Sequence, residues 1–105
     1  MHPRGLGKLE QMSVLSEGEI QERLREHGSW TSGDGSSITR EISFEDFPGA
    51  VAFVNRVAEV AEEQGHHPDI LIHGWNKVRL TLSTHSQGGL TDADFELAGR
   101  LDPLV

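Results

Sequence analysis

Apolar positions along the chain alternate between helical and strand spacing, and the switches divide it into seven elements. In LSEGEIQERLREHG, Ile20 and Leu24 form a narrow apolar stripe, the mark of an amphipathic surface helix. Ser16 stands where a cap belongs, Glu19 can complete a capping box, and Leu15 with Ile20 can staple the first turn. Gly28 is the expected stop. The stretch SWTSGDGSSITREISF then sets a turn-rich SGDGSS between Trp30 and the alternating run Ile38, Arg40, Ile42, Phe44. This predicts a hairpin, a short strand followed by a longer one.

The longest predicted helix lies in DFPGAVAFVNRVAEVAEEQG, opened by Asp46 and Pro48 and closed by Gly65. Val51, Val54, Ala58 and Ala61 recur at helical spacing. Phe47, Phe53, Val57 and Val60 widen the apolar face, so this helix is expected to be the most buried against a sheet. PDILIHGWNKVRLTLSTH holds two strand candidates, Asp69 to His73 and Trp75 to Thr84, separated near Gly74. In the second, Val78, Leu80 and Leu82 share one face, and Lys77, Arg79, Thr81 and Ser83 the other. The last helix repeats the opening of the first: Thr91 caps, Asp94 takes the capping-box position, and Leu90 with Phe95 forms the staple. Leu97, Ala98 and Leu101 supply its buried side.

The predicted order is therefore α-β-β-α-β-β-α. Since each one-sided element must bury its stripe against another, the expected fold is an α+β domain, with a four-stranded antiparallel sheet and three helices packed on one face. Residues 1–13, rich in Gly, Pro and charge without periodicity, are expected to form a flexible extension, and residues 14–105 the domain.

Charge and composition narrow the function. With 17 acidic against 9 basic side chains, the net charge of -8 repels nucleic-acid phosphates and anionic membranes. The absence of cysteine excludes a disulfide framework, a zinc ribbon and a thiol nucleophile. No segment reaches the roughly 20 apolar residues of a membrane span. A cytoplasmic location is expected.

The candidate chemistry lies in histidine. EEQGHHPDI sets His66 and His67 between a helix-ending glycine and Pro68, which disfavours the helical region for His67. Adjacent residues of extended chain point to opposite sides, which suits approach to a flat ligand from two directions better than chelation of one metal. A third histidine, His85, ends the last strand ahead of a glycine pair and a helix start. Imidazoles with an ordinary pKa near 6.5 can both donate and accept protons at neutral pH. No nucleophilic serine or cysteine motif accompanies them, so acid/base chemistry without a covalent intermediate fits best. A plainer reading stands beside this one: the pair caps carbonyls or sits in solvent, Asp94 is only a cap, and Trp30 and Trp75 belong to the core. His2, His27 and His73 read as structural or surface residues.

The runs EEQGHHP, Trp75 with NKV, LTLSTH and GGLTDAD together resemble the pterin-4a-carbinolamine dehydratases. The resemblance extends from about Leu15 onward and includes Trp30 and ISFEDFPGAVAFVNRVAEVAE. Its signature is matched by Glu62, His66, His67, Pro68, Trp75, His85 and Asp94. The resemblance implies dehydration of a 4a-hydroxy-tetrahydropterin to the quinonoid dihydropterin during tetrahydropterin recycling, a hydro-lyase reaction. By that resemblance His66 and His85 are the acid/base residues and His67 positions substrate. Asp94 would orient His85 or shape the pocket, with Glu62 and Trp30 in support. It further implies the same four-stranded fold, a homodimer or homotetramer, and a metabolic link to an aromatic amino-acid hydroxylase. No metal and no organic cofactor are implied, the pterin being substrate. One departure is the six-residue DILIHG between Pro68 and Trp75, where some members have five.

Two other functions remain open. Relatives of this fold also act as non-catalytic protein-binding modules, coactivators or assembly factors, although these would be expected to lack one of the histidines, all present here. A metal site built from His66, His67, His73 and His85 is disfavoured by the adjacent pair and the lack of a carboxylate-rich ligand set.

Overall fold

The structure is a computed structural model, and it describes residues 13–105. Its elements are helix α1 (Glu17–Glu26), strand β1 (Ile38–Ser43), helix α2 (Phe47–Gln64), strands β2 (Asp69–His73) and β3 (Lys77–Leu82), and helix α3 (Asp92–Leu101). Single 3-10 turns follow β3 at His85–Gln87 and α3 at Asp102–Leu104. Apart from Ser13, the expected extension over residues 1–13 lies outside the described residues.

Both expected capping boxes are present. Ser16 Oγ accepts from the Glu19 amide at 3.2 Å, and Glu19 Oε1 accepts from the Ser16 amide at 2.8 Å. Thr91 and Asp94 repeat the exchange at the start of α3. Helix α2 begins at Asp46, whose carboxylate accepts from the Gly49 amide at 2.8 Å. It ends at Gly65 in the left-handed conformation, with φ 65°. There the Gly65 amide bonds the Glu62 carbonyl and the His66 amide bonds the Ala61 carbonyl, each at 3.2 Å. That pair of bonds is a Schellman motif, and it fixes the direction in which the chain leaves the helix.

Among the described residues the sheet has three strands in the order β1-β3-β2, all antiparallel. The expected fourth strand after Trp30 is not formed. It contracts to one bridge, in which the Thr31 amide bonds the Thr39 carbonyl at 2.9 Å and the Thr39 amide bonds the Thr31 carbonyl at 2.8 Å. The SGDGSS loop turns its polar groups on itself instead. Ser32 Oγ donates to the Ser37 carbonyl and accepts from the Gly35 amide, while Asp34 accepts from the amide and hydroxyl of Ser36. Local side-chain bonds of this kind compete directly with a strand ladder.

One face of the sheet carries the core. Ile38, Ile42, Val78, Leu80 and Leu82 pack with Ile20 of α1, Phe53 and Val57 of α2, and Leu97, Ala98 and Leu101 of α3. Burying each such large side chain contributes about 1.5–3 kcal/mol. Along α2 the buried stripe is Ala50, Phe53, Val57 and Ala61. Of the residues expected at helical spacing, Ala61 is buried, Val51 and Val54 are half-buried and Ala58 is exposed; of those expected to widen the face, Phe53 and Val57 are buried, Val60 is half-buried and Phe47 is 52 % exposed. At the centre of the buried face Phe53 is set against Phe44, with ring centroids 5.0 Å apart.

On the open face, Glu41 of β1 accepts from Arg79 of β3 at 3.0 Å and pairs with His73 of β2 at 2.6 Å. The Arg79 guanidinium, with a smaller contribution from His73, holds the Glu41 carboxyl below the usual glutamate range. A carboxyl with a lowered folded pKa stabilises the fold above its unfolded pKa of about 4.3 and loses that contribution as pH falls through the folded value. Urea unfolding of Glu41→Gln beside the unsubstituted protein is expected to show a lower midpoint at pH 6, with the gap closing below about pH 4 as Glu41 protonates.

Candidate active site

The Schellman exit from α2 and the end of β3 bring three histidines to one cleft. His66 and His67 follow Gly65 directly, and His85 follows Thr84 two residues beyond β3. The cleft has a volume of about 240 Å³ and is lined by Gly65, His66, His67, Ser83, Thr84, His85 and Ser86.

The pair diverges, as extended chain before a proline requires. His66 turns inward, its side chain 15 % exposed, and its Nε2 lies 2.6 Å from Asp94 Oδ1. His67 turns outward, with Nε2 2.5 Å from Glu62 Oε2 on the last turn of α2. Both members of that second pair are more than half exposed, so it contributes little to stability and serves to hold the ring. The side chain of His85 is exposed and has no hydrogen-bond or ion-pair partner among the described residues.

Asp94 is fully buried. A buried carboxylate needs hydrogen-bond donors, and this one has three. Oδ1 faces His66, while Oδ2 accepts from Thr84 Oγ1 at 2.7 Å and from the Thr91 amide at 3.0 Å. Thr84 has a single hydroxyl proton and gives it to the carboxylate. Its 2.9 Å contact with Thr91 Oγ1 must therefore be donated by Thr91. The chain of donors runs Thr91, Thr84, Asp94. Because an ionised carboxylate only accepts, His66 Nε2 is the donor in its pair, and the neutral ring then carries its bare lone pair on Nδ1.

Asp94 thus does two things at once, one oxygen closing the capping box and the other holding a histidine. The histidine it holds is His66 and not His85, the partner considered from sequence. Thr84 escaped the sequence reading; the available signal was a threonine in the inward register of β3, continuing Val78, Leu80 and Leu82, where a hydroxyl needs a buried partner.

The other anticipated site residues stand apart from this cleft. Trp30 is buried in the core and donates from Nε1 to Asp102 Oδ1 at 2.8 Å, an atom shared with Arg40. Trp75 is 62 % exposed at the β2–β3 turn with φ 60°, a strand length away from His67. Pro68 leads into β2 and lines no part of the cleft. His73 is engaged by Glu41 at the far end of β2. His27 packs on Phe95, with ring centroids 5.8 Å apart. Among the described residues no three His, Asp or Glu side chains converge as a metal site would require.

The fold agrees with what comparison with known proteins finds. Residues 13–104 match the family model described as pterin 4 alpha carbinolamine dehydratase, and the chain belongs to that family. A provisionally named pterin-4-alpha-carbinolamine dehydratase of Roseiflexus castenholzii is 47 % identical, over 89 % of this chain and 98 % of its own. One of the same name from Nocardia farcinica is 50 % identical over 88 % of this chain and 95 % of its own. Among solved structures, a transcriptional coactivator/pterin dehydratase from Brucella melitensis superposes with a TM-score of 0.81 at 36 % identity, covering 88 % of this chain and 98 % of that one. A pterin dehydratase-like protein identified as a RuBisCO assembly factor in the α-carboxysome gives 0.60 at 29 % identity, covering 72 % and 88 %.

Thr84→Val tests the carboxylate network. It keeps the side-chain shape, removes one donor from Asp94 and leaves the Thr91 hydroxyl without its acceptor. Urea unfolding is expected to show a loss of about 1–3 kcal/mol. An unchanged midpoint would mean that the buried hydroxyl contributes nothing to holding Asp94.

Proposed function

We propose that this chain dehydrates a 4a-hydroxy-tetrahydropterin to the quinonoid dihydropterin by histidine acid/base catalysis. The observation that carries the reading is the convergence of His66, His67 and His85 on one cleft, with His66 backed by a buried carboxylate. Membership of the family supplies the substrate class.

The reaction breaks the bond from C4a to its hydroxyl and the bond from N5 to its proton, and it forms the C4a=N5 double bond. The hydroxyl leaves as water after gaining a proton; the N5 proton passes to a base. His66 is suited to be that base, because its lone pair on Nδ1 is free and the Asp94 carboxylate stabilises the imidazolium formed when it takes the proton. His85, which lines the same cleft and has no side-chain partner among the described residues, is suited to protonate the departing hydroxyl. His67, steadied by Glu62, orients the ring between them. Only proton transfers are needed, so the chemistry calls for no metal and no further cofactor. The same reading makes the chain a cytoplasmic homodimer or homotetramer that serves an aromatic amino-acid hydroxylase by recycling its pterin.

The test is the disappearance of a 4a-hydroxy-tetrahydropterin, followed by ultraviolet absorbance, against the uncatalysed rate. The unsubstituted protein is expected to accelerate it, and His66→Ala and His85→Ala each to lower kcat by about 10²–10⁴-fold while circular dichroism stays native. No acceleration by folded protein would favour a protein-binding role, the reading suggested by the coactivator and assembly-factor names of the two solved relatives.

A further inference from the structure

Thr84 is bonded towards both of the histidines to which the proposed reaction assigns proton transfer. Its buried side chain donates at 2.7 Å to Oδ2 of Asp94, the carboxylate whose other oxygen holds His66. Its backbone closes the loop that carries His85. The Thr84 amide bonds the Gly89 carbonyl at 3.0 Å, and the Thr84 carbonyl accepts from the Gln87 amide at 3.0 Å.

The Asp94 carboxylate cannot orient itself. The torsion that turns an aspartate carboxylate is soft and lacks narrow staggered wells, so the direction of Oδ1 is set by whatever bonds the two oxygens. One such group, the Thr91 amide, lies three residues away at the same helix start and moves with Asp94. Thr84 Oγ1 is the bond that ties the carboxylate to the end of β3. Its own direction is fixed in two ways: a β-branched side chain is stiff at χ1, and the Thr91 hydroxyl, donating to Thr84 Oγ1 at 2.9 Å, leaves the Thr84 proton to the carboxylate. Thr84, Thr91 and Asp94 are all buried, so bulk solvent does not replace a lost donor.

We infer that Thr84 is a positioning residue of the proposed reaction: acting through Asp94, its hydroxyl holds the His66 ring in the orientation in which it takes the N5 proton. The inference rests on the dehydratase reading and adds to it a residue that works through the carboxylate. Because the Thr84 backbone bonds do not involve the side chain, substitution of the hydroxyl leaves the His85 loop closed and isolates the effect on His66.

The experiment measures kcat and KM for dehydration of a 4a-hydroxy-tetrahydropterin in the unsubstituted protein, Thr84→Val and Thr84→Ser, with folding checked by circular dichroism. In parallel, nuclear magnetic resonance of isotope-labelled protein without substrate follows the proton on His66 Nε2. Thr84→Val is expected to lower kcat about 10–100-fold with KM changed by no more than about twofold, the pattern of a misdirected group rather than a lost substrate contact. Thr84→Ala, which removes the hydroxyl without setting a methyl against the carboxylate, should act in the same direction. Thr84→Ser should recover most of the lost kcat. The Nε2 proton signal is expected in the unsubstituted protein and in Thr84→Ser, and should broaden or vanish in Thr84→Val. An unchanged kcat in folded Thr84→Val or Thr84→Ala would overturn the inference. So would a Thr84→Ser protein as slow as Thr84→Val, or an Nε2 signal that none of the substitutions alters. Absence of turnover by the unsubstituted protein would remove the dehydratase reading and the part of Thr84 in it; the ring signal, which needs no substrate, distinguishes that case from a failure of Thr84 to hold the histidine.

Discussion

The Asp94 carboxylate is the point on which the fold and the candidate site both depend. It is fully buried, so its charge must be met by donors, and those donors come from three separate parts of the chain: the end of β3, the start of α3 and the exit from α2. Satisfying the carboxylate therefore brings these segments together. Thr84 ties it to the sheet, the Thr91 amide makes it the second half of a capping box, and His66 becomes the third donor. The imidazole is held in place because the carboxylate requires it.

That arrangement gives the histidines unequal settings within one cleft. His66 is largely buried and backed by a negative group, His67 is held at the surface by Glu62, and His85 is exposed with no side-chain partner among the described residues. The remaining geometry is supplied by backbone. Gly65, in the left-handed conformation, ends α2 so that His66 leaves with its amide bonded to Ala61. After β3, the bridge between Thr84 and Gly89 closes a short loop that carries His85 to the cleft mouth.

Much of this was legible in the sequence wherever the determinant was local. Both capping boxes, the glycine stop of α2, the divergence of the histidine pair and the alternation in β3 depend on residues within a few positions of one another. What the sequence left hidden was long-range or competitive. The fourth strand failed because Ser32 and Asp34 found partners inside their own loop. The contact of Phe53 on α2 with Phe44, which precedes the helix in an irregular segment, is one that helical spacing does not encode. Asp94 could be read as a cap, but its bond to His66 spans 28 positions and no spacing rule encodes it. Trp30 and Trp75 matched a family pattern, yet in this chain one serves the core and the other a turn.

The central claim, that Asp94 orients His66 for proton transfer, is tested most directly by kcat for pterin dehydration in Asp94→Asn. Asparagine keeps an oxygen for Thr84 and the Thr91 amide, and it offers His66 an amide donor in place of an acceptor. That exchange favours the tautomer with its proton on Nδ1 and removes the bare lone pair. The expected result is a fall in kcat of about 10²–10⁴-fold in a protein that remains folded. A kcat close to that of the unsubstituted protein would contradict the account and reduce Asp94 to a helix cap.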